Sequence, residues 1–183
     1  MISQNHIPNK RFGEEIVIHL WRHWFIFFKL FLMFLSLSVA LPFVYILLLY
    51  VWPNVTANET FQAIAAIFAL SYYLIMLVFL LTAWTETYLD VWTITTERII
   101  NREQNGLFNR VVSELDLGVV QDVTAEQKGI FATLLHYGDV HVQTAGTQER
   151  FVFEQIPDPY KVAKIIQKLN DKARKDVDKK FQI

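Results

Sequence analysis

Three side chains near the start of the chain are of types that bind metal ions. Glu15, His19 and His23 follow one another at intervals of four residues, so they share one face if the segment is a helix. Such a face could hold a metal, but a catalytic zinc helix has the order His-Glu-x-x-His, which is absent here. We therefore favour an interfacial helix with a water-exposed polar face, and we predict no metal site.

No other group of residues forms a recognisable catalytic motif. The sequence lacks Gly-x-Ser-x-Gly, a phosphate loop and a dinucleotide fingerprint, and it contains no cysteine, which excludes thiolate nucleophiles and disulfides. His136 and His141 are interpreted as exposed histidines. Asp116, Asp122 and Asp139 could meet only through a fold that the sequence does not reveal. We predict that the protein is not an enzyme and that it has neither a cofactor nor a nucleic-acid partner.

Basic residues concentrate at the end of the chain. Residues 86–160 contain five Lys/Arg and twelve Asp/Glu, whereas residues 161–183 contain eight Lys/Arg and three Asp. The final segment has helical periodicity, with Asp158 as a candidate N-cap and Pro159 in the first turn. One face of this helix is basic, and it either contacts anionic lipid or is a solvated surface. This face is a stripe of lysines: Lys161, Lys164, Lys168, Lys172 and Lys175.

Two long apolar segments precede these elements. Leu30–Trp52 and Phe61–Trp84 each have the length that a helix needs to cross a bilayer, and Glu59 is the only charged residue from Leu30 to Thr85. The composition agrees, with 53% hydrophobic residues and a mean hydropathy of +0.26. Because neither segment carries a charged group, a transporter, channel or intramembrane protease is disfavoured.

The flanks of the two segments predict their orientation. Four Lys/Arg precede the first segment, whereas Pro53–Thr60 contains none, so both termini are expected in the cytoplasm and the short loop outside. Aromatic and basic side chains close to the ends are expected to anchor the protein at the interfaces. These predicted anchors are Trp21, Arg22, Trp24, Lys29, Trp52 and Trp84.

The residues after Thr87 alternate with the period of β-strands. The alternation predicts that each strand has one buried face. Several short strands at close spacing predict a small barrel or sandwich of antiparallel strands. Asn105-Gly106 predicts a type I′ hairpin turn, Ile130–His136 a short helical or irregular segment, and Ala145–Thr147 a second turn. The predicted strands are Tyr88–Thr95, Arg98–Glu103, Leu107–Leu117, Val119–Gln127, Asp139–Thr144 and Glu149–Ile156.

Five short segments follow one another in a specific order and spacing: Thr95–Ile100, Gly106–Arg110, Leu117–Val123, Tyr137–Gly146 and Ile156–Pro159. Together they resemble the bacterial PH-like domain of the membrane-flanked-domain family. The resemblance extends to Arg22-His23-Trp24 ahead of the first apolar segment. It implies paired transmembrane helices followed by two near-orthogonal sheets, closed at one end by the terminal helix, but it does not indicate any particular activity.

The predicted fold class is therefore membrane α+β: an N-terminal transmembrane helical hairpin, then a PH-like small antiparallel β-barrel capped by a C-terminal α-helix. The predicted divisions are a lead-in (1–29), the hairpin (30–85), the cytoplasmic PH-like domain (86–172) and a basic tail (173–183). The leading functional hypothesis is a scaffold at the bacterial inner membrane that binds a protein partner or another copy of itself. The alternative is sensing of anionic lipid through the lysine stripe, and an enzyme ranks third.

The orientation can be tested with reporter fusions at Ile183 and within the Asn54–Asn58 loop. A reporter active only in the cytoplasm should give signal from the first position, and one active only outside should give signal from the second, because the positive flanks stay inside. An external signal from the fusion at Ile183 would overturn the predicted topology.

Overall fold

The computed structural model describes residues 10–144 and 151–181, with side chains as far as Lys175. The chain divides into two compact units. Of the described residues, one unit contains 10–23, Asp90–Glu103 and those from Arg110 onward, and the other contains Trp24–Leu89 and Gln104–Asn109. The predicted turn at Ala145–Thr147 lies outside the described residues.

Two long helices form most of the second unit. They are α1 (Trp24–Val51) and α3 (Glu59–Leu89), and the single-turn helix α2 (Pro53–Thr56) lies between them. Both long helices are apolar enough to cross a membrane by length and composition. They also contact each other, since the hydroxyls of Tyr72 and Tyr73 donate to the carbonyls of Leu37 and Ser38 at 2.9 Å. The two predicted apolar helices are thus present, and α3 runs on through Tyr88, where a strand was expected.

The first sheet has the strand order β1-β2-β3-β4. Its strands are β1 (Ile16–Trp21), β2 (Val91–Thr95), β3 (Arg98–Asn105) and β4 (Asn109–Asp116). β1 corrects the prediction of an interfacial helix in the lead-in. A spacing of four residues fits the period of a strand as well as that of a helix, and Ile16, Ile18 and Leu20 alternate with the intervening side chains. β1 pairs antiparallel with β2, which follows the whole helical hairpin in the sequence.

The second sheet has the order β5-β6-β7. Its strands are β5 (Val120–Glu126), β6 (Tyr137–Thr144) and β7 (Phe151–Pro157); the short helix α4 (Ile130–Leu135) follows β5, and α5 (Pro159–Phe181) ends the described chain. The predicted small β-barrel is not closed, and the two separate sheets agree instead with the sandwich alternative. A barrel needs continuous pairing around its circumference, whereas a 3₁₀ turn at Leu117–Val119 carries the chain out of the first sheet and β5 pairs with β6.

The hydrophobic core lies between the two sheets and under α5. Trp92 of β2 packs edge-on against Phe153 of β7, with their ring centroids 5.9 Å apart, and both are fully buried. Val162 and Ile166 of α5 join the same core. The terminal helix begins at Pro159, as expected, and the carbonyl of Asp158 accepts the amides of Lys161 and Val162. The apolar stripe of α5 therefore covers one end of the core.

The hairpin between β3 and β4 differs from the predicted two-residue turn. A type I′ turn needs positive φ at both central residues. Among the described residues, Gly106 has a φ of 74° but Asn105 has no positive φ, and the connection is a three-residue loop over residues 106–108. Leu107 and Phe108 consequently lie at the tip of the loop rather than in a strand.

Gly138 is a position where only glycine fits. A Cβ atom built there would lie 2.2 Å from the carbonyl oxygen of Glu126 on the neighbouring strand. We expect Gly138→Ala to lower the free energy of unfolding by about 1–3 kcal/mol, because backbone must move to relieve the overlap. Gly118→Ala is the matched control, since its Cβ would meet nothing within 4 Å. Thermal unfolding of the full chain in detergent, followed by circular dichroism, measures both; equal Tm values for the two variants would contradict the expectation.

Candidate functional site

The side chains predicted as possible metal ligands do not converge. Nδ1 of His19 lies 3.0 Å from Oγ1 of Thr93, and the ring of His23 stacks on Tyr137 with a centroid distance of 5.2 Å. The backbone amide of Glu15 donates a hydrogen bond to the hydroxyl of Thr96, and its carbonyl accepts one from the Thr96 amide. Among the residues that the structure describes, no three His, Cys, Asp or Glu side chains are grouped as a metal site. The helical face on which the metal alternative depended does not exist.

Burial lowers the pKa of both His19 and His23. Desolvation lowers the pKa of His19, and the nearby positive charge of Arg102 lowers it further. Desolvation also lowers the pKa of His23, partly opposed by the carboxylate of Asp158. Both rings are therefore neutral over a wider pH range than a free histidine, as suits residues packed at the edge of a domain.

The three aspartates considered as a catalytic group have separate partners. Asp116 accepts a hydrogen bond from Arg11 at 2.7 Å, Asp122 accepts the amide of Val123 at 2.9 Å, and Asp139 accepts the amide of Gln155 at 2.7 Å. Asp116 lies at the end of β4, and Asp122 and Asp139 lie at irregularities in the strand pairing of the second sheet.

The predicted interfacial anchors are dispersed over the structure. Arg22 donates to Asp90 and Glu154 at 2.9 Å from Nη2, and Lys29 lies over the ring of Phe25 at 5.4 Å from its centroid. Arg22 thus links the end of β1 to Asp90, the single residue between α3 and β2. The tryptophans occupy helix ends and one strand end: Trp21 ends β1, Trp24 begins α1, Trp52 precedes α2, and Trp84 lies in α3 against Phe27.

A groove between β1 and α5 brings together several of the predicted residues. Its volume is about 660 Å³. The lining consists of an apolar floor and a charged rim: Val17, Ile165 and Leu169, with Lys168, Asp171, Lys172 and Lys175. We call this the β1–α5 groove. Three of the five lysines predicted to contact lipid line it, whereas Lys161 and Lys164 are exposed elsewhere on α5.

The floor of the β1–α5 groove is positioned by a bulge in β1. The pairing with β2 shifts between Ile16 and Ile18, so Val17 is the extra residue, and its side chain remains 42% exposed. β1 is also the edge strand of its sheet. The opposite wall follows from the docking of α5, in which Asn170 and Arg174 donate to the carbonyl of Val120 at 3.0 and 2.7 Å. This docking buries the face of α5 that lies against the core, and Ile165 and Leu169 beside it remain half-buried at the groove.

A second charged arrangement ties the segment before β1 to β3. Arg98 is 3% exposed and Glu14 fully buried, and Nε of Arg98 donates to Oε1 of Glu14 at 2.9 Å. The hydroxyl of Thr95 donates to the same oxygen at 2.8 Å, and Arg98 also contacts Glu114. Sequence reasoning missed this pair, although Arg98 lies within the Thr95–Ile100 segment of the family resemblance. Each charge has a buried partner, as it must to be tolerated there.

A domain of two packed antiparallel sheets, an end-capping helix and an open groove is a PH-like interaction domain in its architecture. The bacterial PH domain family matches residues 25–170, and the chain belongs to this family. The resemblance found in the sequence is thereby confirmed. Such domains are in general non-catalytic modules that bind proteins or lipids.

Comparison with solved structures finds a DUF1696 family protein with a pleckstrin-homology domain from Shewanella loihica PV-4. The two chains are 16% identical; the match covers 44% of this chain and 70% of the other, with a TM-score of 0.37. At this level the likeness carries no argument about function. No curated protein matches the chain.

The Glu14–Arg98 pair predicts a pH-dependent stability. Burial raises the pKa of Glu14, but hydrogen bonds from Arg98, the Arg11 amide and Thr95 outweigh it, so the pKa lies below its ordinary value of 4.5. A lowered pKa gives stability that is present above pH 4.5 and lost as the pH falls through the folded-state value. We expect Glu14→Gln to lower the free energy of unfolding at pH 7 by about 3 kcal/mol and to remove this part of the acid dependence.

Glu15→Gln is the control for this prediction, because Glu15 is exposed and adjacent in sequence. Denaturant unfolding of the full chain at pH 7 and at several values below 4.5 compares the two variants. If Glu14→Gln retained the acid dependence of the wild type, the assigned role of the pair would be wrong.

Proposed function

We propose that the protein is a membrane-anchored interaction module of the bacterial inner membrane, and that it binds a protein segment in the β1–α5 groove. The observation that carries this proposal is the combination of an apolar floor, a lysine rim and an edge strand at one place. A chain segment can add to an exposed strand edge while its side chains enter neighbouring pockets.

The helical hairpin supports the membrane part of the proposal. Asp90 alone separates α3 from β2, and Arg22 and His23 alone separate β1 from α1. Because these connections are so short, the PH-like domain cannot move far from a membrane that α1 and α3 cross. A partner in the same membrane would meet the groove at a high effective concentration.

The chemistry of the groove specifies its occupant. Lys168, Lys172 and Lys175 stand against one carboxylate, Asp171, so the rim favours acidic residues. Val17, Ile165 and Leu169 favour an apolar side chain between those acids. Another copy of this chain could supply such a segment, because residues 86–160 contain twelve Asp/Glu and only five Lys/Arg.

Anionic lipid is the second candidate, favoured by the lysine stripe as a whole. All five lysines from Lys161 to Lys175 are exposed on α5, and each cation close to an anionic surface contributes about 1 kcal/mol. This candidate uses the whole stripe, whereas the protein-binding proposal uses only the residues that line the groove.

Paired charge reversals distinguish the two candidates. The groove variant is Lys168→Glu with Lys172→Glu, and the control is Lys161→Glu with Lys164→Glu, which changes the net charge equally. A photo-crosslinking residue replacing Val17 reports the occupant in native membranes. Crosslinking to protein should fall about tenfold or more in the groove variant, as expected for two lost charge contacts of about 1 kcal/mol each, and should persist in the control.

The amount of anionic phospholipid that copurifies with each variant tests the alternative. Equal loss of this lipid in both variants, with unchanged protein crosslinks, would replace the protein-binding proposal with the lipid one. Absence of any crosslinked protein or second copy at Val17 would refute the groove as a protein site.

A further inference from the structure

The loop between β3 and β4 exposes two large apolar side chains that the β1–α5 groove does not use. Phe108 is 97% exposed and Leu107 44% exposed. We call residues 106–108 the hairpin tip. A phenylalanine that is fully exposed at a loop end buries no surface within the fold and does not stabilise it. Exposed apolar patches are found where a protein contacts another protein or a membrane.

The position of the hairpin tip is fixed by contacts within the helical unit. The amide of Gly106 donates to Oε1 of Glu86 in α3 at 2.7 Å, and Nε2 of Gln104 donates to the carbonyl of Gly106 at 2.8 Å. The positive φ of Gly106 allows the chain to turn at this point. The tip is therefore held beside the last turns of α3.

Glu86 indicates the depth of this position in a membrane. From Phe61 to Thr85 no residue of α3 is charged, so Glu86 is the first charged side chain after the apolar span. A carboxylate at the end of a span lies at the level of the headgroups. The exposed rings of Trp84 and Tyr88 on either side of it are of the type that occupies this level.

We propose that the hairpin tip inserts Leu107 and Phe108 into the headgroup region of the same leaflet that α3 leaves, so that the domain has a membrane contact of its own. The proposal rests on the membrane insertion of α1 and α3. The bilayer is the occupant because the Glu86 contact holds the tip at the end of the apolar span. Two exposed side chains are also a small surface compared with what a stable protein interface buries.

The absence of cysteine from the sequence allows a direct measurement. Asn109→Cys, next to the tip, can be labelled with an environment-sensitive fluorophore in the full-length protein, reconstituted into phosphatidylcholine and phosphatidylglycerol vesicles. Lipids with a quencher at a shallow or a deep position then report the depth. Val119→Cys is the matched control: Val119 is also exposed, but it lies beyond the far end of β4, about 25 Å along a strand of this length.

Shallow quenchers should act several-fold more strongly at Asn109 than at Val119. Replacing both apolar side chains in the labelled protein, by Leu107→Ser with Phe108→Ser, should reduce quenching at Asn109 to the control level. Quenching at Asn109 no greater than at Val119, or unaffected by the two replacements, would overturn the proposal. A concentration-dependent blue shift without lipid quenching would assign the tip to a second copy and also overturn it.

A label at Ile75→Cys separates this proposal from the membrane anchor itself. Ile75 is an exposed residue in the middle of α3, so deep quenchers should act on it if α3 crosses the bilayer. Loss of quenching at Ile75 would refute the anchor. Quenching at Ile75 without quenching at Asn109 would refute only the insertion of the tip.

Discussion

Trp21 of β1 lies opposite Val91 of β2, although the whole helical hairpin separates them in the sequence. The hairpin is therefore an insertion between two paired strands of one sheet. Both of its ends are fixed by strand pairing, and the Glu14–Arg98 pair adds a buried attachment for the segment that leads into β1. Without this pairing β2 would become an edge strand, and the β1–α5 groove would lose its floor residue Val17.

The features that could be predicted from the sequence are those set by local patterns. An apolar run long enough to cross a bilayer can form little except a helix, so α1 and α3 were expected, with ends that differ by a few residues. The alternation from Val111 to Leu117 predicts a half-buried strand, and β4 forms there, but only Leu115 of that strand is buried and Val111 is exposed. Pro159 and the apolar stripe from Val162 to Leu169 likewise predict the terminal helix.

The features that could not be predicted depend on pairing between distant segments. The spacing of Glu15, His19 and His23 fits a strand and a helix equally, and only the pairing with β2 decides between them. Two sheets were expected only from the family resemblance, because the 3₁₀ turn at Leu117–Val119 that separates them has no strong signal of its own in the sequence. The ion pair of Glu14 with Arg98 likewise joins residues that no local pattern relates.

The groove combines both kinds of feature. Its lysine rim belongs to α5, where the sequence shows it as a stripe, but the stripe alone does not distinguish a solvated face from a binding surface. Val17, which lies at a bulge in β1, completes with Ile165 and Leu169 the apolar floor beside three of the five lysines. β1 lies before residue 25, where the match to the bacterial PH domain family begins. The strand that shapes the groove thus comes from outside the matched region, so a chain with the same helices and the same strands β2 to β7 but a different lead-in would present a different surface at this place.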